Sequence, residues 1–168
     1  MTLNNKLQNE KMTKSSYVIP VFIGGAIGAV DGSIGDINAN FSNNYAQANN
    51  GLAMGGAIAV ETGYYGNMIG NFAGNYAKGS DAYGGAIFLT SDSRVKPTTI
   101  SGTFSGNYAL ATGDSWSRAY GGAIYNGWSN RDAALALENT PSTYMEVPSY
   151  NPAIVNSSFI NNYAKAEG

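Results

Sequence analysis

The sequence predicts an all-β protein built as a parallel β-solenoid of about four coils, and three observations support this prediction. The word Gly-Gly-Ala-Ile occurs four times, and a second word, Phe-x-x-Asn-Tyr-Ala, alternates with it four times. Around the second word, apolar and polar residues alternate as they do along a strand. Glycine (22 residues) and tyrosine (12 residues) are abundant, which favours short strands joined by tight turns.

The composition limits the kinds of function that the chain can have. Its 168 residues are enough for one domain. The net charge of -2 argues against nucleic-acid binding, which favours a basic face. Cysteine and histidine are both absent, so we exclude a disulfide scaffold and a zinc or haem site of the usual ligand types. We therefore expect no metal and no other cofactor.

The chain divides into a short lead and one repeat domain. Residues 1–16 are polar and lack both words, so we predict that they are disordered or weakly helical. Residues 17–168 carry the repeats, with a long loop insertion near 127–152. The apolar run after the lead has some features of a signal peptide. However, Gly24 lies 17 residues before Phe41, just as Gly55 lies 17 residues before Phe72, so this run belongs to the repeat.

The first word predicts a turn followed by a strand. Its glycine pair allows the backbone to turn, or to approach a neighbour where a Cβ would clash. The isoleucine and the residue two positions later share one strand face, which we predict to be the interior. These pairs are Ile27/Ala29, Ile58/Val60, Ile87/Leu89 and Ile124/Asn126. The residues between them vary freely and are predicted to face outward: Gly28, Ala59, Phe88 and Tyr125.

The second word predicts a strand that ends in a left-handed turn. The apolar residues four positions before each phenylalanine should share its face; they are Ile37, Met68, Ile100 and Val155. Two positions after the phenylalanine only Asn or Gly occurs, the residue types that tolerate positive φ: Asn43, Gly74, Gly106 and Asn161. The next residue is always Asn, whose amides can bond to one another as a ladder when copies stack.

Stacked coils place equivalent residues above one another at about 4.8 Å, which predicts four structural columns. The isoleucine column is Ile27, Ile58, Ile87 and Ile124, and the phenylalanine column is Phe41, Phe72, Phe104 and Phe159. The asparagine column is Asn44, Asn75, Asn107 and Asn162, and the tyrosine column is Tyr45, Tyr76, Tyr108 and Tyr163. Because repeated letters hold the coil together, we expect the variable letters to meet partners.

Two insertions interrupt the repeats around the fourth Gly-Gly-Ala-Ile and carry the candidate binding residues. These residues are Trp116, Arg118, Trp128, Tyr144 and Tyr150. Rigid aromatic side chains and arginine are favoured anchors in recognition, and aromatic rings also stack on sugars. The competing interpretation is that the long insertion folds back and covers a flank of the solenoid.

The two alternating words resemble those of the polymorphic outer membrane proteins of the chlamydial type and of related autotransporter passenger domains. The resemblance covers residues 17–168. It implies a right-handed, single-stranded parallel β-helix that is exported through a C-terminal β-barrel and displayed on the outer face of the outer membrane, often as an adhesin. It also implies that the chain is a fragment, because the family's signal peptide, middle region and barrel are not found in this sequence.

We therefore expect a non-catalytic segment of a bacterial surface protein that acts as an adhesin or a rigid stalk. Its partner would be a host-cell receptor or a glycan, and membrane anchoring would come only from the absent barrel. The last coil is also expected to self-associate edge to edge through its unpaired strands.

The alternative is a polysaccharide-active β-helix enzyme, a lyase or a glycosidase. Such an enzyme needs clustered carboxylates, or an arginine with calcium-binding acids. No two acidic residues share a repeat position in this sequence, and the pair with the best chance of approach is Asp81 and Asp114. The sequence therefore predicts no catalytic residues.

Overall fold

The computed structural model describes the ranges 2–3, 6–7, 21–30, 32–61, 64–90, 98–113, 116–127 and 152–167. Within these ranges every regular element is a β-strand, and the strands form several parallel sheets. Among the described residues there is no helix with the length and apolar character needed to cross a lipid bilayer. The predicted all-β class, with parallel strands, is thus confirmed.

In chain order the strands are β1 (Thr2–Leu3), β2 (Lys6–Leu7), β3 (Val21–Ile23), β4 (Ile27–Val30), β5 (Ser33–Ile34), β6 (Ile37–Asn38), β7 (Asn40–Ser42), β8 (Tyr45–Gln47), β9 (Leu52–Met54), β10 (Ile58–Glu61) and β11 (Tyr64–Tyr65). The remaining strands are β12 (Met68–Ala73), β13 (Tyr76–Gly79), β14 (Asp81–Tyr83), β15 (Ile87–Leu89), β16 (Thr99–Ser105), β17 (Tyr108–Thr112), β18 (Arg118–Tyr120), β19 (Ile124–Asn126), β20 (Ala153–Ile160) and β21 (Tyr163–Glu167).

Each sheet consists of equivalent strands from successive copies of the repeat. The Phe sheet runs β1-β7-β12-β16-β20, with β6 also paired to β12, and the Tyr sheet runs β2-β8-β13-β17-β21. The Ile sheet runs β4-β10-β15-β19, and the pre-Gly sheet, whose strands precede the glycine pairs, runs β3-β9-β14-β18. A fifth sheet contains β5 and β11. The predicted strands after Gly-Gly-Ala-Ile and around the repeated phenylalanine form the Ile sheet and the Phe sheet, whereas the strands of the Tyr sheet and of the pre-Gly sheet were not predicted.

The register of the sheets follows the repeated words. Phe41, Phe72, Phe104 and Phe159 are successive partners across the Phe sheet. Ile27, Ile58, Ile87 and Ile124 are successive partners across the Ile sheet. Tyr45, Tyr76, Tyr108 and Tyr163 are successive partners across the Tyr sheet. Equivalent side chains of neighbouring copies therefore lie directly above one another.

The interior contains two apolar clusters that the inward faces of these sheets form. The larger one joins the buried members of the phenylalanine and isoleucine columns, together with Met68 and Ile100. The smaller one consists of alanines from the Tyr sheet and the pre-Gly sheet, among them Ala77, Ala82 and Ala109. Alanine suits this position because a larger side chain would need space that the two closely facing sheets do not leave.

The two glycines of the first word have different roles. The first has a left-handed backbone in every copy, with φ between 62° and 67°. The second allows a close approach, because a Cβ on Gly85 would lie 2.0 Å from the carbonyl oxygen of Gly122 and 2.5 Å from the amide nitrogen of Tyr108. Both reasons for a glycine that the sequence suggested are therefore present, one at each position.

The predicted left-handed residue after each phenylalanine is confirmed. The φ angles are 54° at Asn43, 62° at Gly74, 60° at Gly106 and 52° at Asn161. This residue turns the chain from the Phe sheet into the Tyr sheet in every copy. The restriction to Asn and Gly thus follows from backbone conformation, since other L-residues pay a steric cost in this region.

The prediction of an outward-facing, exposed surface at Ala59 and Phe88 was wrong. Both side chains are fully buried, and they form a third apolar cluster with Met54 and Tyr83. The glycine pair lies between the pre-Gly strand and the Ile strand of each copy. The turn at this pair brings the outer faces of the two sheets together. Residues on that face therefore pack across the turn.

The prediction for Val155 was also wrong. The register between β16 and β20 shifts after Ile100, and Ile100 pairs with Ile154 rather than with Val155. Asn156 has a left-handed φ of 47°, so one extra residue is accommodated before Phe159 returns to its column. This is the geometry of a β-bulge, which inserts one residue without moving the rest of the strand out of register.

Parts of the predicted division of the chain lie outside the described residues. Of the lead at 1–16, the structure describes only 2–3 and 6–7, and these residues form β1 and β2 on the first Phe and Tyr strands. They are strands rather than the disordered or weakly helical segment that we expected. The insertion near 127–152 is described only at its first and last residues.

Candidate binding surface

The structure describes two of the five predicted binding residues. Trp116 lies in a turn between β17 and β18, and its side chain is 83% exposed. Arg118 begins β18, so it belongs to a sheet rather than to the loop in which the sequence analysis placed it. Trp128, Tyr144 and Tyr150 lie outside the described residues.

The position of Arg118 is set by an ion pair with Asp81. The two residues are register partners in the pre-Gly sheet. The Asp81 carboxylate accepts hydrogen bonds from the Arg118 backbone amide at 2.8 Å and from Nη2 at 3.1 Å. The hydrogen bond to Asp81 raises the pKa of the Arg118 guanidinium. Asp81 therefore holds Arg118 in an extended position on the surface.

An aromatic cluster that the sequence analysis missed lies next to this pair. Tyr83 stacks on Tyr120 with ring centroids 5.5 Å apart, and it meets Tyr125 edge to face at 5.1 Å. Phe88 stacks on Tyr125 at 5.6 Å. Burial raises the pKa of the Tyr83 phenol, whereas the Tyr120 side chain is about half exposed. The cluster thus extends from the buried rings of Tyr83 and Phe88 to the half-exposed ring of Tyr120.

A sequence signal for this cluster did exist. The residue before each glycine pair is always large and apolar or aromatic: Ile23, Met54, Tyr83 and Tyr120. The preceding strands contain only three residues each, which is too short for an alternating pattern to be recognised. The position before the turn could therefore have been recognised from the repeat, but its burial could not.

Three acidic side chains make separate structural contacts. Asp36 accepts a hydrogen bond from the Asn67 amide at 2.7 Å, and Asp81 holds Arg118. The hydrogen bond from Lys165 lowers the pKa of Glu167. No group of three or more acidic, histidine or cysteine side chains in the described ranges could hold a metal ion. Asp114 lies outside the described residues, so the predicted approach of Asp81 and Asp114 stays a prediction.

The asparagine column forms a hydrogen-bonded ladder, as the sequence analysis predicted. The side-chain oxygen of Asn75 accepts from the backbone amide and from Nδ2 of Asn44, both at 3.0 Å. Asn107 does the same for Asn75, and Asn162 for Asn107. Each Nδ2 group from Asn75 onward also donates to the phenylalanine carbonyl of the copy before it. Asn44, Asn75 and Asn107 are fully buried, so this part of the ladder is structural.

Trp116, Arg118 and Tyr120 form an exposed aromatic and arginine surface that is suited to recognition. All three residues are exposed, and they lie on one turn and on the strand that follows it. Such a surface can stack on a flat apolar ligand face and donate hydrogen bonds from the guanidinium group. In comparisons with known proteins, no protein-family model, no curated protein and no solved structure matches this chain.

Proposed function

We propose that the chain is a right-handed parallel β-helix of the polymorphic outer membrane protein or autotransporter passenger type. The supporting observation for the architecture is the pairing pattern: from β3 onward, every paired strand joins the equivalent strand of a neighbouring copy, in parallel. A crossover connection between two parallel strands of the same sheet is right-handed in about 98% of cases, which supports a right-handed helix here. The two alternating words support the family.

The proposed role is non-catalytic, a rigid stalk or an adhesive surface on the outside of a bacterial cell. The observation that carries this proposal is that the repeated residues are buried, whereas exposed aromatic and arginine residues lie where the repeat is interrupted. The repeated Phe and Asn residues of the inner copies are fully buried and form continuous stacks and ladders, which make a stiff rod. The exposed Trp116 and Arg118, in contrast, lie where the repeat is interrupted.

The proposed adhesive contact is the surface of Trp116, Arg118 and Tyr120, and its partner is a host-cell receptor or a glycan. Tryptophan, tyrosine and arginine are the residues that most often dominate binding energy at interfaces. Asp81 holds the guanidinium in place at 3.1 Å, which lowers the entropy that binding must remove. Trp116, as a turn residue with a mostly exposed ring, is the most accessible anchor.

Cell adhesion by purified protein tests the adhesive role. We expect Trp116→Ala to reduce binding to host cells or to a glycan array by about tenfold, as loss of an interface anchor does. The matched control is Tyr64→Ala, because Tyr64 is also an exposed aromatic residue but lies in β11, away from this surface. Equal binding by wild type and Trp116→Ala would remove the adhesive surface from the proposal.

Labelling of cells that express the protein tests its location. An antibody raised against the chain should label intact cells as strongly as permeabilised ones, and added protease should destroy the signal on intact cells. Labelling only after permeabilisation would overturn the surface location. The adhesion result and the location result are independent, so each part of the proposal can fail alone.

A further inference from the structure

The tyrosine column lies on the outer face of the Tyr sheet in the inner copies. Tyr45, Tyr76 and Tyr108 are successive partners in that sheet. The residue after each of these tyrosines is a fully buried alanine, so the tyrosine points to the opposite, outward side of its strand. Tyr76 and Tyr108 are each partly exposed, whereas Tyr45 is only 8% exposed. Reagents in solution can therefore reach Tyr76 and Tyr108.

The rings of this column stack in parallel at a nearly constant spacing. The ring centroids of Tyr45 and Tyr76 are 4.9 Å apart, with an interplanar angle of 9°. Those of Tyr76 and Tyr108 are 4.8 Å apart, and their planes differ by 4°. Because the two rings are parallel and belong to residues in register, each atom of one ring lies close to its equivalent in the other. The ring carbons next to the hydroxyl-bearing carbon, Cε1 and Cε2, are thus held near their counterparts.

Tyrosines outside the column are arranged differently. Tyr64 is 43% exposed, but its partner in the fifth sheet is Ser33. Tyr83 stacks on Tyr120 at 5.5 Å with an angle of 19°, but Tyr83 is only 2% exposed. Tyr83 and Tyr125 meet edge to face rather than in parallel. In the inner copies that the structure describes, the pair of Tyr76 and Tyr108 therefore combines parallel stacking with access from solution on both partners.

We propose that Tyr76 and Tyr108 are a site of oxidative modification, at which the two rings join as a dityrosine and link the second and third copies covalently. Such coupling needs two tyrosine rings that lie side by side, and the column holds them so before any oxidation occurs. A bond between copies restricts the unfolded chain as a disulfide does, so the linked protein resists unfolding. This inference concerns the column itself and does not depend on a surface location.

The oxidant for this reaction is hydrogen peroxide, activated by a haem peroxidase. Each phenol gives up one electron and one proton and becomes a phenoxyl radical. The two radicals form a carbon–carbon bond between one Cε atom of each ring. Each bonded carbon then loses its hydrogen as a proton and each oxygen regains one, so both rings become aromatic phenols again. The peroxide takes up the two electrons and two protons that are released overall and is reduced to water.

Peptide mapping after oxidation tests the proposal. The purified chain is treated at low concentration with hydrogen peroxide and a haem peroxidase, and the product is digested with trypsin. Cleavage after lysine and arginine, except before proline, places Tyr76 in the peptide 15–78 and Tyr108 in the peptide 95–118. We expect these peptides to appear as one cross-linked product that is two hydrogen atoms lighter than their sum and has the blue fluorescence of dityrosine. Gel electrophoresis in SDS should still show a single chain.

Conservative variants locate the link. Tyr76→Phe and Tyr108→Phe keep the stacked rings but remove the hydroxyl group that is oxidised, so each should abolish the cross-linked product while the chain remains folded by circular dichroism. Tyr64→Phe is the matched control, because Tyr64 is also exposed but lies opposite a serine, and it should give as much product as wild type. The proposal would be overturned by a product that persists in Tyr76→Phe, by links only between other peptides or between chains, or by no link.

Discussion

The third and fourth copies of the second word share the residues Phe, Asn, Tyr and Ala, but these residues are buried to different extents. Phe104, Asn107 and Tyr108 lie between two neighbouring copies, whereas in the described part of the chain Phe159, Asn162 and Tyr163 have a paired copy on one side. The Phe104 ring is fully buried, and the Phe159 ring is about half exposed. The comparison shows that the word alone does not bury a residue, because each copy obtains half of its packing from the next one.

The largest expected difference is at the phenylalanine column. We expect Phe104→Ala to lower the free energy of unfolding by about 3–5 kcal/mol, since it removes a buried ring from between two others and leaves a cavity. Phe159→Ala should cost only about 1–2 kcal/mol, because half of its surface is already in water. Urea denaturation of both variants measures the difference. Equal costs would show that Phe159 is packed in solution as tightly as Phe104.

A second comparison separates the two reasons for glycine. A Cβ on Gly85 would lie 2.0 Å from a backbone carbonyl oxygen of the next copy, so we expect Gly85→Ala to cost about 3 kcal/mol or more. Gly106 has a left-handed backbone but no atom within 4 Å of such a Cβ. Gly106→Ala should therefore cost only about 1–2 kcal/mol.

Thermal or urea unfolding of the two glycine variants measures these costs. Gly106→Asn is the control, because asparagine occupies the equivalent position at Asn43 and Asn161 with the same backbone conformation. We expect this variant to unfold within about 0.5 kcal/mol of wild type. A large loss in Gly106→Asn would mean that something other than backbone conformation selects glycine there.

A third comparison concerns the asparagine ladder. Asn75→Ala removes the oxygen that accepts both the backbone amide and Nδ2 of Asn44, in a fully buried position. We expect a loss of about 2–3 kcal/mol in the free energy of unfolding, because buried donors then lack an acceptor. Asn162→Ala should cost less, since Asn162 is only partly buried and water reaches it. Similar losses for the two variants, measured by urea denaturation, would contradict this account.

The smallest expected effect is a dependence on alkaline pH that arises from the buried aromatic cluster. Burial raises the pKa of Tyr83 above its ordinary value of 10.0. A raised folded-state pKa means that the unfolded chain loses its proton first, so stability is full below pH 10 and is lost as the pH rises towards the folded-state value. The loss is at most about 1.4 kcal/mol per pH unit for one group.

The alkaline effect can be measured as the urea midpoint between pH 8 and pH 11. In Tyr83→Phe the group is absent, so the midpoint should fall less steeply with pH than in wild type. The difference between the two proteins below pH 9 sets the baseline for the lost hydroxyl group. Parallel pH curves for the two proteins would show that Tyr83 is ionised as readily in the folded chain as in the unfolded one.

The sequence alone determined which residues face each other across the copies. The two words are local and repeated, so the all-β class, the left-handed residue at Asn43 and its equivalents, and the asparagine ladder all followed from residue type and spacing. Such features depend on backbone conformation and on neighbours in equivalent positions. A repeated sequence specifies both before any packing angle is known.

Only the tertiary structure decided how the outer surface is arranged. The burial of Phe88 depends on the angle at which the glycine turn brings two sheets together, and no local pattern encodes that angle. The ion pair of Arg118 with Asp81 depends on a three-residue strand that is too short to show periodicity. The bulge before Phe159 depends on a single extra residue within a repeat. Periodicity predicts contacts along a column, whereas contacts between two sheets depend on the angle of the turn that connects them.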